Sequence, residues 1–323
     1  MRTFVPRAAG DGPSADWGIR RAVRLAFPGP AALAADPVHT ERLRTYLTDL
    51  LRPYRLGLEP GALERGGGQS YGEMAEALIR LAVPAGESVD LLVLAYAVPD
   101  ITPGRATTTY LSHVCPGAPM AFAVSDQGSA AAFTACRLIH GYAETGGLRR
   151  ALLLVVEQDT LPYDPGLPVT VPSASRGVAL LFGEPEPGER VARLGRVTTH
   201  VLPEDPRDAP DLLGALDGGP VPATEPLGAF DTARAPVTAL LGGALAARLT
   251  VPVRADLVRT ADAGQPGTGV WWELADLLTD QGQGQDQEPT PAARSLLLAD
   301  YDPVPRHLST AAIDVRAAVT APR

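Results

Sequence analysis

Ser125–Asp126–Gln127–Gly128–Ser129 lies between the apolar AFAV and the small-residue run AAAFTACRLIHG, the layout of a strand, a tight turn and a helix. Ser129 stands at the predicted helix start and is the candidate nucleophile, but a serine hydroxyl needs a base to activate it. His113, His140, His200 and His307 are the bases on offer. Serine is also a preferred N-cap residue, satisfying an orphan backbone N–H, and of the two readings the cap is preferred. Cys136 falls two turns into the same predicted helix among small apolar residues and reads as core. Cys115, in SHVCPGAP beside His113, reads as an ordinary loop thiol. Glu157–Gln158–Asp159 closes another apolar run, and Trp271–Trp272 opens a later helix that should bury at least one indole.

Composition removes several kinds of chemistry. All 28 basic residues are arginine and there is no asparagine, so neither a Schiff-base lysine nor an asparagine oxyanion donor exists. Two cysteines provide no disulfide framework and no zinc spacing, and no metal or other cofactor is expected. A net charge of −9 argues against a nucleic-acid partner. No run approaches the ~20 apolar residues of a membrane span. The first residues lack the apolar stretch of a signal peptide, so a cytoplasmic protein is expected.

Apolar spacing predicts the elements that must position these residues. A first strand is expected over 16–27, then helices over His39–Leu51 and Ser70–Val83. Val89–Tyr96 and Ala151–Val156 are nearly continuous apolar runs, the pattern of strands covered on both faces. Phe122–Val124 is the strand before the turn, and Ser129–Thr145 the helix after it. Val178–Phe182 and Val191–Val201 are expected to pair around EPEPGE. After a Pro- and Gly-rich connection (202–225) come a helix over Ala235–Leu249, a strand Arg254–Ala261, a helix Val270–Thr279, and strands Ser295–Asp300 and Leu308–Val315. Alternating strands and helices imply an α/β fold with a mixed sheet. The expected division is 1–201 and 202–323.

The order of elements in 89–164 resembles the nucleophile elbow of the thiolase superfamily, most closely that of ketoacyl-ACP synthase III, and the resemblance extends over about 16–318. It implies a layered αβαβα fold of two related halves, the second trimmed, and a dimer formed along the strand at Phe122–Val124. It also implies a catalytic Cys-His-Asn set, which this chain lacks. The family cysteine, a thiolate stabilised at a helix N-terminus, follows the phenylalanine of an Ala-Phe pair by six residues. From Ala121–Phe122 that falls on Gly128, or on Gln127 if the turn is one residue shorter. The histidine, which should end the strand before the second-lobe helix, is expected around Phe230 and Asp231, where there is no imidazole. The asparagine of a Gly-Asn turn is replaced by Gln265 after Gly264.

Chain-length factors, the catalytically silent partners of ketosynthases, are similar and carry glutamine at the cysteine position, which gives Gln127 a second meaning beside that of a polar turn residue. The resemblance therefore implies a non-condensing subunit beside an active ketosynthase, in a polyketide or fatty-acid-like secondary pathway. The alternative is an acyltransferase or thioesterase acting through Ser129 on groups bound to an acyl carrier protein or CoA. A heterodimer is expected, otherwise a homodimer. Carrier proteins are acidic, so docking needs a local basic patch. Arg149 and Arg150 after a Gly-Gly turn are the candidates, with Arg20, Arg21 and Arg24 in the first strand.

Overall fold

The computed structural model describes residues 14, 16–102, 106–187, 189–202, 237–249, 253, 255–283 and 293–316. The elements run β1 (Gly18–Ala26), α1 (Pro37–Leu51), α2 (Tyr71–Ala82), β2 (Leu91–Ala95), α3 (Thr107–Val114), β3 (Met120–Val124), α4 (Ala130–Gly146), β4 (Ala151–Glu157), β5 (Arg176–Gly183) and β6 (Val191–Val201). They continue with β7 (Val237–Leu241), α5 (Gly243–Ala246), β8 (Leu257–Thr260), α6 (Gly269–Gln283), β9 (Ala293–Asp302) and β10 (His307–Arg316).

The strands form one sheet in the order β3-β2-β4-β5-β1-β6-β10-β9-β7-β8. This order is a repeat read outward from the centre. β2 is parallel to β3 and β4, β4 antiparallel to β5, and β5 antiparallel to β1. Likewise β7 is parallel to β8 and β9, β9 antiparallel to β10, and β10 antiparallel to β6. The halves join through β1 and β6 at Ile19 and Ala192. β1 thus lies between β5 and β6, which do not pair with each other as the sequence suggested. The EPEPGE segment is a link between repeats, and the strand order places β6 with the second repeat.

Helices α4 and α6 lie between the halves, each touching strands of both; α2 and α3 cover the outer face of the first half, and α5 that of the second. Alternation along the strands shows why. In β2, Leu91, Val93 and Ala95 face the central helices while Leu92 and Leu94 face α2 and α3; β4 and β5 do the same. Strands covered twice need apolar residues at every position, which explains the continuous apolar runs. Phe133 of α4 meets Trp271 of α6 with ring centroids 4.9 Å apart, tying the repeats at the centre. Among the described residues, the outer layer of the second half is built from Leu202, Ala239, Leu241, Leu245, Ala299, Tyr301 and Leu308.

One predicted element changes. The segment expected as a helix over Ala235–Leu249 is strand β7 followed by the single turn α5. Its alanines and leucines suit either period, and pairing between β8 and β9 decides for the strand. Residues 202–225 lie almost wholly outside the described residues. α1 begins two residues before the expected His39, at Pro37, because Asp36 caps it by accepting from the Val38 and His39 N–H groups and Pro37 suits the first turn.

Candidate functional site

β3 ends at Val124 and the chain turns into α4 through Asp126 at φ 61° and Gly128 at φ 54°. Two left-handed residues in three make the turn tight, and glycine takes that conformation without the cost other residues carry. Gln127–Gly128–Ser129 therefore sits where the sequence placed it. The Gln127 side-chain oxygen accepts from the Thr134 hydroxyl at 2.6 Å, fastening the turn to the helix.

The space in front of Gly128 is filled from the second half. A Cβ added there would stand 1.7 Å from Asp302 Oδ2 and 2.8 Å from its Cγ. Asp302 is held firmly, its Oδ2 accepting from the Ser129 N–H at 2.9 Å and its Oδ1 from Val304 N–H at 3.0 Å. A carboxylate at the start of a helix satisfies an orphan donor and complements the helix dipole. This corrects the expected cap: the Ser129 side chain makes no capping bond, and the work is done by Asp302. The Ser129 hydroxyl is buried and makes no hydrogen bond of ordinary geometry.

A second glycine, after β7, meets the same strand. The strand before the second lobe's first helix is β7, so the strand end where a family histidine is expected is Leu241–Gly242; residues 230 and 231 lie outside the described residues. Gly242 has φ −60° and ψ 143°, which any residue could adopt. Yet an added Cβ would stand 1.8 Å from Asp300 Oδ1 and 2.6 Å from its Cγ. Asp300 Oδ1 accepts from Tyr301 N–H at 2.8 Å. Burial pushes the Asp300 carboxyl up to about 7; the Ser129 hydroxyl and the Tyr301 N–H pull it down, and the Asp302 charge adds to the rise.

Gln265 does occupy the turn before α6, and it is buried. Its amide nitrogen donates to Ser173 Oγ at 3.1 Å and to the Ala174 carbonyl at 3.2 Å, so its donors are already committed. Beside it, Glu157 accepts from Gly267 N–H at 2.8 Å and from the Thr268 hydroxyl. Burial pushes the Glu157 carboxyl up to about 7, against the pull of Thr268, Gly267 and Arg176. Glu157 is therefore a structural cap of α6.

The remaining candidates separate clearly. His113 and His200 are exposed, His140 lies beside Glu144 on α4, and His307 starts β10 opposite Asp302; none hydrogen-bonds to Ser129. Cys136 is buried in the central core. Cys115 is also buried rather than an open loop thiol, and burial pushes it up to about 12. Among the described residues no cluster of His, Cys, Asp and Glu could hold a metal ion. Arg149 is exposed, but Arg150 Nε lies 2.7 Å from Glu87. Glu87 also pairs with Arg20, whose buried guanidinium reaches Glu189 as well. Arg24 pairs with Asp276 and lies over the Trp272 ring. Sequence reasoning missed Asp300, Asp302 and Gly242. The available signals were two acids spaced by two at the end of the apolar SLLLADYD and a Gly-Gly directly after ALL.

No family model and no curated protein sequence matches this chain. Solved structures do. AbyA1, a tetronic acid condensing enzyme, is 17% identical over 93% of this chain and 100% of its own, with a TM-score of 0.54. A variant of OleA from Xanthomonas campestris is 13% identical over 92% and 98%, with a TM-score of 0.55. ChlB3, an acyltransferase, is 17% identical over 95% and 99%, with a TM-score of 0.52. These likenesses, with the repeated five-stranded order and two central helices, show a thiolase-like α/β fold. Among the described residues no helix is long and apolar enough to cross a membrane.

Proposed function

We propose that this chain is a non-condensing ketosynthase III-like subunit that acts beside an active ketosynthase, shaping its acyl site and helping to dock an acyl carrier protein or acyl-CoA. The observation that carries this reading is Gly128: at the turn where the family places its thiol there is no side chain, and the Asp302 carboxylate fills the space. The matching strand end at Gly242 has no imidazole, and the Gln265 amide is committed to Ser173 and Ala174. Attack on a thioester and stabilisation of the resulting oxyanion both lack their groups.

Among the described residues β3 is an edge strand that pairs with β2 alone, which leaves a row of backbone groups for a partner. The test is co-expression with a ketosynthase encoded nearby, followed by native mass measurement. A heterodimer is expected. A stable homodimer that ignores the ketosynthase, or condensation of acyl-CoA with malonyl-ACP by the purified chain, overturns the reading.

One observation favours the second reading, acyl transfer or thioester hydrolysis through Ser129. Its hydroxyl is buried, makes no hydrogen bond of ordinary geometry and lies close to Asp300, which could accept its proton. A Ser129-linked acyl group on incubation with acyl-CoA would establish it.

A further inference from the structure

We propose that Asp302 and Asp300 are the residues that close this site, and that each glycine facing them is fixed by its aspartate. The proposal rests on the reading of the site as a ketosynthase-type site and adds what keeps it shut. Two independent places show the same exchange. At 128 and at 242 a Cβ would lie under 2 Å from a carboxylate oxygen of β9. The two acids are alternate residues of one strand, so both point to the same face, toward the start of α4.

The case is sharpest at Gly242. Its backbone is in an ordinary conformation, so nothing local demands glycine there; only Asp300 does. At Gly128 the positive φ adds its own preference for glycine. Neither acid moves aside freely. Asp302 would lose two backbone N–H partners and Asp300 one, in surroundings where unpaired polar groups are expensive. Restoring a thiol alone therefore cannot open the site, and the changes must come in pairs.

The experiment compares Gly128→Cys with the pair Gly128→Cys and Asp302→Gly. Each protein is treated with iodoacetamide and with octanoyl-CoA, and the modified peptide is identified by mass. On acylation the thiolate attacks the thioester carbonyl, the new thioester forms as the bond to CoA breaks, and CoA leaves as its thiolate, which takes a proton from water. The paired variant should label roughly tenfold faster than the single one, because reactivity follows thiolate exposure. It should also carry an octanoyl group that the single variant lacks. Equal labelling of the two, or a folded paired variant that stays unlabelled, overturns the proposal.

A second arm covers a paired variant that fails to fold. Gly242→Ala, Asp300→Gly and their combination form a stability cycle, read by urea denaturation. The combination should be more stable than the sum of the single losses predicts, and additive losses overturn the proposal. None of these readouts involves a ketosynthase partner, so failure here is distinguishable from failure of the silent-subunit reading.

Discussion

Replacing Asp300 with asparagine should flatten the pH dependence of stability. The group titrates near 3.8 in an ordinary environment and near 7 in the fold, where burial disfavours its charge. Between those values the unfolded chain has released the proton while the native chain keeps it. The native state binds more protons, so stability falls as pH rises. The contribution is fully present below the unfolded value and lost as pH climbs through the folded one. One proton is worth about 1.4 kcal/mol per pH unit, and a window of about 3 units makes the total roughly 4 kcal/mol. Asparagine keeps the oxygen that accepts from Tyr301 and removes the charge that Asp302 opposes. The variant should match the parent near pH 4 and exceed it above pH 7, by roughly 4 kcal/mol at most. Glu157 follows the same sign but is present in both proteins, so the difference between their urea-denaturation curves isolates Asp300. Parallel curves from acid to alkaline pH would show that the Asp300 charge is not the strained element.

Both cysteines should resist alkylation in the native protein and react on unfolding, since burial pushes Cys115 to about 12 and raises Cys136 as well; rapid native labelling at pH 8 contradicts this. Arg20→Ala should cost about 1.5–3 kcal/mol by urea denaturation, because it removes the charge-assisted hydrogen bonds of a buried guanidinium to half-buried Glu87 and Glu189, while Arg150 still pairs with Glu87. Arg149→Glu should leave stability unchanged while weakening carrier binding and its salt dependence, and unchanged binding places the docking patch elsewhere. Trp271→Ala should cost about 3–5 kcal/mol, because the indole is fully buried against Phe133 between the two repeats; a loss under about 1 kcal/mol would mean the central layer repacks without it.

What the sequence revealed depended on how many faces each element buries. β2, β4 and β5 were legible because strands covered twice have no polar positions to blur the pattern. α2 was legible because Met74, Ala75 and Leu78 mark one side of a helix, although Leu81, at the same helical spacing, is exposed. β7 was not, since VTALLGGALAARL carries as many helix formers as strand formers and only its neighbours fix its period. The elbow was found from the order of strand, turn and helix together with its resemblance to that of the thiolase superfamily, whose thiol follows the phenylalanine by six residues. Its occupant was not found. Asp302 lies 174 residues from Gly128 in sequence and faces it only because β9 ends beside α4. A contact between repeats leaves no local periodicity to read.

The repeat also bears on Ser129. α4 and α6 are equivalent helices, and each is preceded by a hydroxyl residue, Ser129 and Thr268. Each hydroxyl is near a buried carboxyl at the end of the fourth strand of the opposite half: Thr268 donates to Glu157, and Ser129 lies close to Asp300. The Thr268 pair is plainly a clasp, so proximity of a carboxyl to Ser129 has a structural counterpart and is weak support for a proton-relay role. The electrostatics point the same way. Thioester chemistry develops negative charge on the carbonyl oxygen and needs donors there. This site instead spends the Ser129 N–H on Asp302 and sets Asp300 beside it. An oxyanion formed about 4 Å from an ionised carboxylate would meet a repulsion of about 4 kcal/mol at an effective dielectric near 20, close to a thousandfold loss in rate. The carboxylates that hold the two repeats together thus oppose the charge that acyl transfer would have to create.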